Sequence, residues 1–225
     1  MANIIDQNYA AYAANDLEGV LATLADDYTV SPFGGSPWLT SRDAARKLYT
    51  RHLVDYPMDR TDVLGRMELA NVTIKREHSE PGEGSKAPAA DVMMIYTVRD
   101  GLIARCESIS RQGDEAAALA VVAKQLEAYN VQDLDAHVAC FANDIVIADL
   151  NGPETMHGIA DYRARYQGVF AQYPQNHAEI VNRLACGNVV VDHERVRRSP
   201  DSEPFEVLAI YTIKDGKIAR VDFVK

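Results

Sequence analysis

The sequence is poor in cysteine, basic charge and long apolar runs, and each shortage removes a class of protein. Three cysteines occur in 225 residues, Cys106, Cys140 and Cys186, odd in number and far apart. None forms a CxxC pair, so neither a zinc site nor a disulfide framework is signalled, and buried reduced thiols are expected. Lys and Arg number 23 against 33 Asp and Glu, a net charge of −10. That balance argues against nucleic acid or an anionic membrane as a partner, since either needs a basic face. No stretch approaches the roughly 18 apolar residues of a membrane span. The N-terminal Met1-Ala2-Asn3-Ile4-Ile5-Asp6 has neither the basic region nor the long apolar run of a secretory leader. A soluble, cytoplasmic protein is the expectation. The hydrophobic fraction of 47% is ordinary for a globular chain.

What is present is said twice. Tyr12-Ala13-Ala14-Asn15-Asp16-Leu17 returns as Tyr129-Asn130-Val131-Gln132-Asp133-Leu134, a spacing of 129 − 12 = 117. Tyr56-Pro57 returns as Tyr173-Pro174, and Asn71-Val72 as Asn188-Val189, at that same spacing. Near the end, Ile95-Tyr96-Thr97-Val98-Arg99-Asp100-Gly101 matches Ile210-Tyr211-Thr212-Ile213-Lys214-Asp215-Gly216 at 210 − 95 = 115. Solenoid units repeat every 20–50 residues or so, so a repeat this long is a duplicated domain. The expected domains are 1–111 and 116–225, with Arg111-Gln112-Gly113-Asp114 as connector. Differences between the copies then carry information about function.

Each copy opens with helical periodicity: Ile4, Ile5, Asn8 and Tyr12, then Leu17, Val20, Leu21 and Leu24, against Leu119, Val122, Leu126 and Tyr129, then Leu134, Val138 and Phe141. Asp16 and Asp133 are placed to cap the second helix. A short strand (Tyr28–Val30, Ile145–Ala148), a loop with Gly35 or Gly152, and a third helix near 41–55 or 158–172 follow. Tyr-Pro ends that helix, because the residue before proline disfavours helical geometry. The rest reads as strands rich in Val, Ile and Tyr. Asp-Gly pairs supply the positive φ of tight hairpins, and Ser79–Pro88 and Ser199–Pro204 form hairpin tips. The fold class expected is α+β: two tandem cones, each of three helices on a strongly bent sheet.

This order of elements resembles the nuclear transport factor 2-like (cystatin-like) fold. More narrowly it is similar to the SnoaL-like group, which includes ketosteroid isomerase, polyketide cyclases and limonene epoxide hydrolase. The resemblance rests on Asn15-Asp16-Leu17-Glu18 with Leu24-Ala25-Asp26-Asp27-Tyr28-Thr29-Val30, on Gln132-Asp133-Leu134-Asp135 with Phe141-Ala142-Asn143-Asp144-Ile145-Val146-Ile147, and on the terminal Asp-Gly-Lys-Ile-Ala-Arg-Val hairpin. It covers both copies nearly end to end. Fold alone does not fix activity.

The resemblance implies an aspartate base after the first strand, three residues before the glycine. That position is Asp149 in the second copy and Pro32 in the first. Ketosteroid isomerase pairs such a base with an oxyanion-binding tyrosine and a protonated aspartate. Those positions fall near Gln125 and Asn8, and on Ala209 and Met94, while the supporting tyrosine is retained as Tyr166 and Tyr49. The epoxide-hydrolase pattern implies an arginine at Arg195, but its aspartates fall near Arg197 and Phe223. If Arg195 faces the pocket, strand alternation puts His193 on the same face. His193 is then either a proton-transfer group or a hydrogen-bonded structural imidazole. Asp149 is either the base or a loop-capping carboxylate. His157 and His177 read as surface residues, and no spacing predicts a metal site from His193, Asp149 and His157.

The site expected is therefore Asp149 as proton acceptor, His193 as second acid–base group and Tyr166 as orienting donor, in the second copy. Tyr129, Phe141, Tyr162, Arg195, Tyr211 and Phe223 would line its ligand pocket, and Phe33, Trp38, Tyr49 and Tyr96 would wall the first. The ligand expected is a small, mainly apolar organic compound, with no metal or organic cofactor. An isomerase-, cyclase- or lyase-type enzyme and a non-catalytic ligand-binding or protein-interaction module both fit these residues. The copies are expected to pair through their sheets as a pseudo-dimer, since a tether raises effective concentration, giving a monomer in solution or a dimer of pseudo-dimers.

Overall fold

In a computed structural model of the chain, residues 3–55, 58–86 and 88–225 are described. They divide into two compact units, Met1–Arg111 and Gln112–Lys225. The first runs α1 (Ile4–Ala13), α2 (Leu17–Ala22), β1 (Leu24–Pro32), α3 (Arg42–Asp55), β2 (Met58–Leu69), β3 (Val72–Pro81), β4 (Ala90–Arg99) and β5 (Leu102–Ser110). The second repeats it as α4 (Glu115–Asn130), α5 (Leu134–Val138), β6 (Phe141–Asp149), β7 (Glu154–His157), α6 (Ile159–Gln172), β8 (His177–Cys186), β9 (Val189–Arg197), β10 (Phe205–Lys214) and β11 (Lys217–Val224).

The sheets are ordered β1-β5-β4-β3-β2 and β7-β6-β11-β10-β9-β8. The first strand of each copy pairs in parallel with the last, and the other neighbours are antiparallel. Each Asp-Gly turn works as its chemistry demands: Asp215 and Gly216 have φ of 51° and 72°, the pair of positive values that a type I′ hairpin needs. Asp16 and Asp133 do cap their short helices, accepting from the amides of Gly19 and Ala136 at 2.9 Å. Free N–H groups at a helix start make such a carboxylate worth about 1 kcal/mol.

Leu24 and Phe141 continue the apolar period of the helices before them, yet both begin strands. The helices end earlier, at Ala22 and Val138, because an apolar residue at a helix-to-strand junction faces the core whichever element owns it. α6 ends at Gln172, with Tyr173 as its C-cap before Pro174, as expected, whereas Tyr56-Pro57 lies outside the described residues. Of the expected Ser79–Pro88 tip, Ser79–Pro81 belong to β3 and the rest lies between β3 and β4, with Ala87 also outside the described residues.

The second copy adds a strand the first has only as a single bridge, Val30 to Leu39. There β7 pairs along β6 and extends the wall of the cone. Val122 of α4 and Tyr162 of α6 pack in one buried cluster with Phe141, Ile145, Ile147, Val190, Ala209, Tyr211 and Val221 of the sheet. Cys106, Cys140 and Cys186 are buried free thiols. No helix among the described residues is long and apolar enough to cross a membrane.

Candidate active site

Between the helices and the sheet of the second unit lies a cavity of about 150 Å³. α4 contributes Gln125 and Tyr129, one turn apart, and α6 contributes Tyr162, Arg165 and Tyr166 on one helical face. The sheet contributes Phe141 and Ile147 from β6, Glu194 and Val196 from β9, Val207 and Tyr211 from β10, and Phe223 from β11. Strand alternation explains the selection, because every second residue faces the helices. The wall is largely aromatic. The ring centroids of Tyr162 and Phe141 are 4.3 Å apart, and those of Tyr162 and Tyr166 are 4.5 Å apart.

Besides Gln125, two buried polar groups stand in this wall. Glu194 is 8% exposed, and its Oε1 accepts the Tyr211 hydroxyl proton at 2.8 Å. Gln125 Nε2 in turn donates to the Tyr211 oxygen at 3.2 Å. Burial, and then the nearby charge of Asp192, push the Glu194 carboxyl up to about 7, while Tyr211 and Arg183 pull the other way. Asp192 shares the Glu194 face of β9 and has no exposed surface; Arg183 Nε donates to its Oδ1 at 2.5 Å and Nη2 to its Oδ2 at 2.7 Å.

The second group is His137 of α5, 1% exposed. Its Nδ1 lies 3.1 Å from the Gln125 carbonyl, which only accepts, so Nδ1 carries the proton and Nε2 accepts from Tyr162 at 2.9 Å. Burial drives the imidazole down to about 4, so it is neutral at physiological pH. Tyr166 is pushed up to about 12, also by burial, and stays a hydroxyl donor.

Of the residues expected from sequence, Tyr129, Phe141, Tyr162, Tyr166, Tyr211 and Phe223 line the cavity. Asp149, His193 and Arg195 do not. Asp149 shares the parity of Ile147, but as the last residue of β6 it lies beyond the wall. Its side chain is 47% exposed and accepts from Lys225 Nζ at 2.7 Å. His193 and Arg195 belong to the opposite face of β9, where both bind the Glu206 carboxylate, His193 Nε2 at 2.9 Å and Arg195 Nη2 at 2.8 Å. Val190 and Val196, packed inward, fix that register, and a one-residue difference in register exchanges the two faces. The expected facing is thus reversed, and the inward positions belong to Asp192 and Glu194. His157 and His177 are exposed. Among the described residues no group of His, Cys, Asp or Glu is gathered to hold a metal ion.

In the first unit the matching carboxylate is Glu77, since 194 − 117 = 77. It is equally buried, but it meets Lys75 Nζ at 3.1 Å and accepts from the Tyr9 hydroxyl at 2.5 Å. Tyr96 completes the chain, 2.7 Å from the Tyr9 oxygen. Leu126 and Asp192 stand where the first copy has Tyr9 and Lys75. Tyr49 and Tyr96 pack within the core there, whereas Trp38 is 59% exposed and borders an open pocket with Leu39, Leu48 and His52.

The SnoaL-like domain signature matches residues 5–106 and again 122–221. The chain belongs to the SnoaL-like family. It consists of two tandem α+β domains, each matched by that signature. A cystatin-fold protein from Novosphingobium aromaticivorans is 34% identical over 48% of this chain and 97% of its own, with a TM-score of 0.45. A protein assigned as a polyketide cyclase from Sinorhizobium meliloti is 26% identical over 47% of this chain and 94% of its own, with a TM-score of 0.40. One assigned as a ketosteroid isomerase from Kribbella flavida is 20% identical over 49% and 78%, with a TM-score of 0.43. No curated protein matches the chain. Within the second SnoaL-like domain, Glu194 and His137 escaped sequence reasoning. The signal for Glu194 was available: it is the acidic residue that both copies keep on the Val-rich strand. For His137 it was fainter, an apolar Val20 at the matching helical position.

Proposed function

We propose that the second SnoaL-like domain binds a small, mainly apolar carbonyl compound and moves a proton on it, with Glu194 in place of Asp149 as the base. The observation that carries this reading is a buried carboxylate at the wall of an apolar cavity, with one oxygen held by Tyr211 and its pKa pushed to about 7. A base titrating near the working pH combines availability with strength. The C–H bond beside the carbonyl breaks, its proton passes to Glu194, and its electron pair moves onto the carbonyl oxygen as an enolate. Tyr166, held protonated by burial, is the donor proposed for that oxygen. Where the substrate has a β,γ double bond, return of the proton to the γ-carbon moves that double bond into conjugation with the carbonyl and completes an isomerisation. In a saturated ketone the proton returns to the α-carbon and only exchange results. The step balances in itself, so the proposal invokes no metal or organic cofactor.

A ligand-binding module without turnover is the alternative, favoured by the oxyanion positions. Gln125 already donates to Tyr211, and Ala209 offers only a methyl group. Loss of one oxyanion donor costs on the order of 10²–10³ in rate.

Deuterium exchange at the α-carbons of 1-phenylpropan-2-one in D₂O, followed by proton NMR, separates the two. The protein is expected to accelerate exchange, and Glu194→Gln to remove about 10² or more of that acceleration. Asp149→Asn is expected to leave it unchanged. Undiminished exchange in Glu194→Gln ends the base assignment; binding without any acceleration leaves the ligand-binding module standing.

A further inference from the structure

Resting on the proton-transfer reading above, we infer that this cavity takes a small monocarboxylate, its apolar part inside and its carboxylate at the rim on Arg165 and Arg198. The chain as a whole carries a net charge of −10, yet the lining of this cavity includes three cations, Arg165, Arg198 and Lys225, against one carboxylate, Glu194. The charge of Lys225 is already answered by Asp149. Arg165, exposed on α6 three residues beyond Tyr162, has no carboxylate partner among the described residues; the nearby α6 ion pair to Asp135 belongs to Arg163. Arg198 donates to the Asn176 amide oxygen at 3.0 Å, a neutral acceptor, and its guanidinium lies 5.1 Å from the ring centroids of Tyr173 and Phe205. Two guanidinium charges therefore stand uncompensated at the rim, and that of Arg198 is held in place by its neighbours.

A guanidinium presents a planar fork of donors that matches a carboxylate. The interior behind it is a different environment. About 150 Å³ suits one six-membered ring, the size of hollow that holds benzene in other proteins, and an aromatic wall suits a planar one. An ionised group is too costly to desolvate there, so the carboxylate stays outside with the arginines. An aromatic wall with a buried carboxylate also resembles a cage for an organic cation. Such a ligand would have to pass the two unpaired guanidinium groups, which repel it.

Isothermal titration calorimetry on the full chain with phenylacetate, phenylacetamide and 2-phenylethylammonium tests this directly. Phenylacetate is expected to bind about tenfold more tightly than the amide, the preference one charge-assisted contact of about 1.4 kcal/mol provides. Arg165→Gln, at an exposed site, is expected to remove roughly threefold or more of that preference and to leave amide binding unchanged. Asp149→Asn frees Lys225 and is expected to strengthen phenylacetate binding. Equal affinity for acid and amide, or first preference for the ammonium, overturns the inference, and so does failure of all three to bind. In each case the exchange assay with Glu194→Gln decides separately whether the proton-transfer reading survives.

Discussion

Glu77 of β3 and Glu194 of β9 hold the same position in the two copies, yet Glu77 meets a lysine and Glu194 faces a cavity. Two substitutions account for the difference. Lys75 becomes Asp192, which replaces a compensating charge with a repelling one. Tyr9 becomes Leu126, which removes a hydroxyl and leaves Tyr211 to donate to the carboxylate directly. One scaffold thus carries a quenched carboxylate and a perturbed one.

The quenched pair is structural, and its removal is expected to cost stability. Lys75 and Glu77 are both buried, and taking away one partner of such a pair costs about 3–5 kcal/mol because the other charge is left alone. Lys75→Met is therefore expected to lower the urea midpoint of the first domain strongly at pH 7, followed by circular dichroism. The double variant Lys75→Met, Glu77→Gln is expected to recover most of the loss. A single variant as stable as the parent would show that the pair holds nothing together.

Glu194 makes the opposite prediction for its own domain. Its pKa is raised from an ordinary 4.5 to about 7, so the folded state holds a proton that the unfolded state has released. Stability is then full below about 4.5 and declines as pH rises towards 7, by about 3 kcal/mol. Glu194→Gln carries no such titration. Its stability relative to the parent is expected to improve between pH 5 and pH 8; parallel curves for the two proteins across that range would exclude a strained carboxylate.

His137 acts in an overlapping window with the reverse sign. Its pKa falls from 6.5 to about 4 on burial, so the unfolded state binds the extra proton. The stability it contributes is complete above 6.5 and is lost as pH falls towards 4, again by about 3 kcal/mol. In the intact protein this loss is masked in part by the gain at Glu194. A Glu194→Gln background unmasks it: unfolding free energy is expected to drop steeply between pH 6.5 and 5, and His137→Gln added to that background to flatten the drop.

How much of this was legible in the sequence depends on the kind of feature. The duplication, the caps Asp16 and Asp133 and the Asp-Gly hairpins follow from local chemistry that the chain states outright. The aromatic wall was also legible, because Tyr129, Phe141, Tyr162, Tyr166 and Tyr211 recur at core periods. The facing of β9 was not. Val189–Val191 is apolar on both parities, so alternation alone leaves two choices, and a resemblance at Arg195 selected the wrong one. Depth was equally hidden: Asp149 lies on the right side of β6, but only its place at the strand's end, beside Lys225, shows that it falls short of the cavity.

The acidity of Glu194, weakened chiefly by burial, is further tuned by two charges of opposite effect, and that opposition gives the sharpest test. Asp192 raises its pKa, and Arg183 lowers it. Asp192→Asn removes the repelling charge and leaves Arg183 less neutralised, so both changes lower the Glu194 pKa. In the deuterium-exchange assay the acidic limb of the pH–rate profile is expected to move to lower pH, with a reduced plateau because a weaker base abstracts more slowly. Arg183→Met removes the attracting charge instead and is expected to move the same limb to higher pH. Both variants break the ion pair between buried Asp192 and the guanidinium of Arg183, so each is expected to cost stability as well, about 3–5 kcal/mol when one partner is left buried alone. A merely structural disturbance would lower both rates without displacing either profile. Shifts in opposite directions are the signature of Glu194 as the titrating base, and shifts in the same direction would remove it from that role.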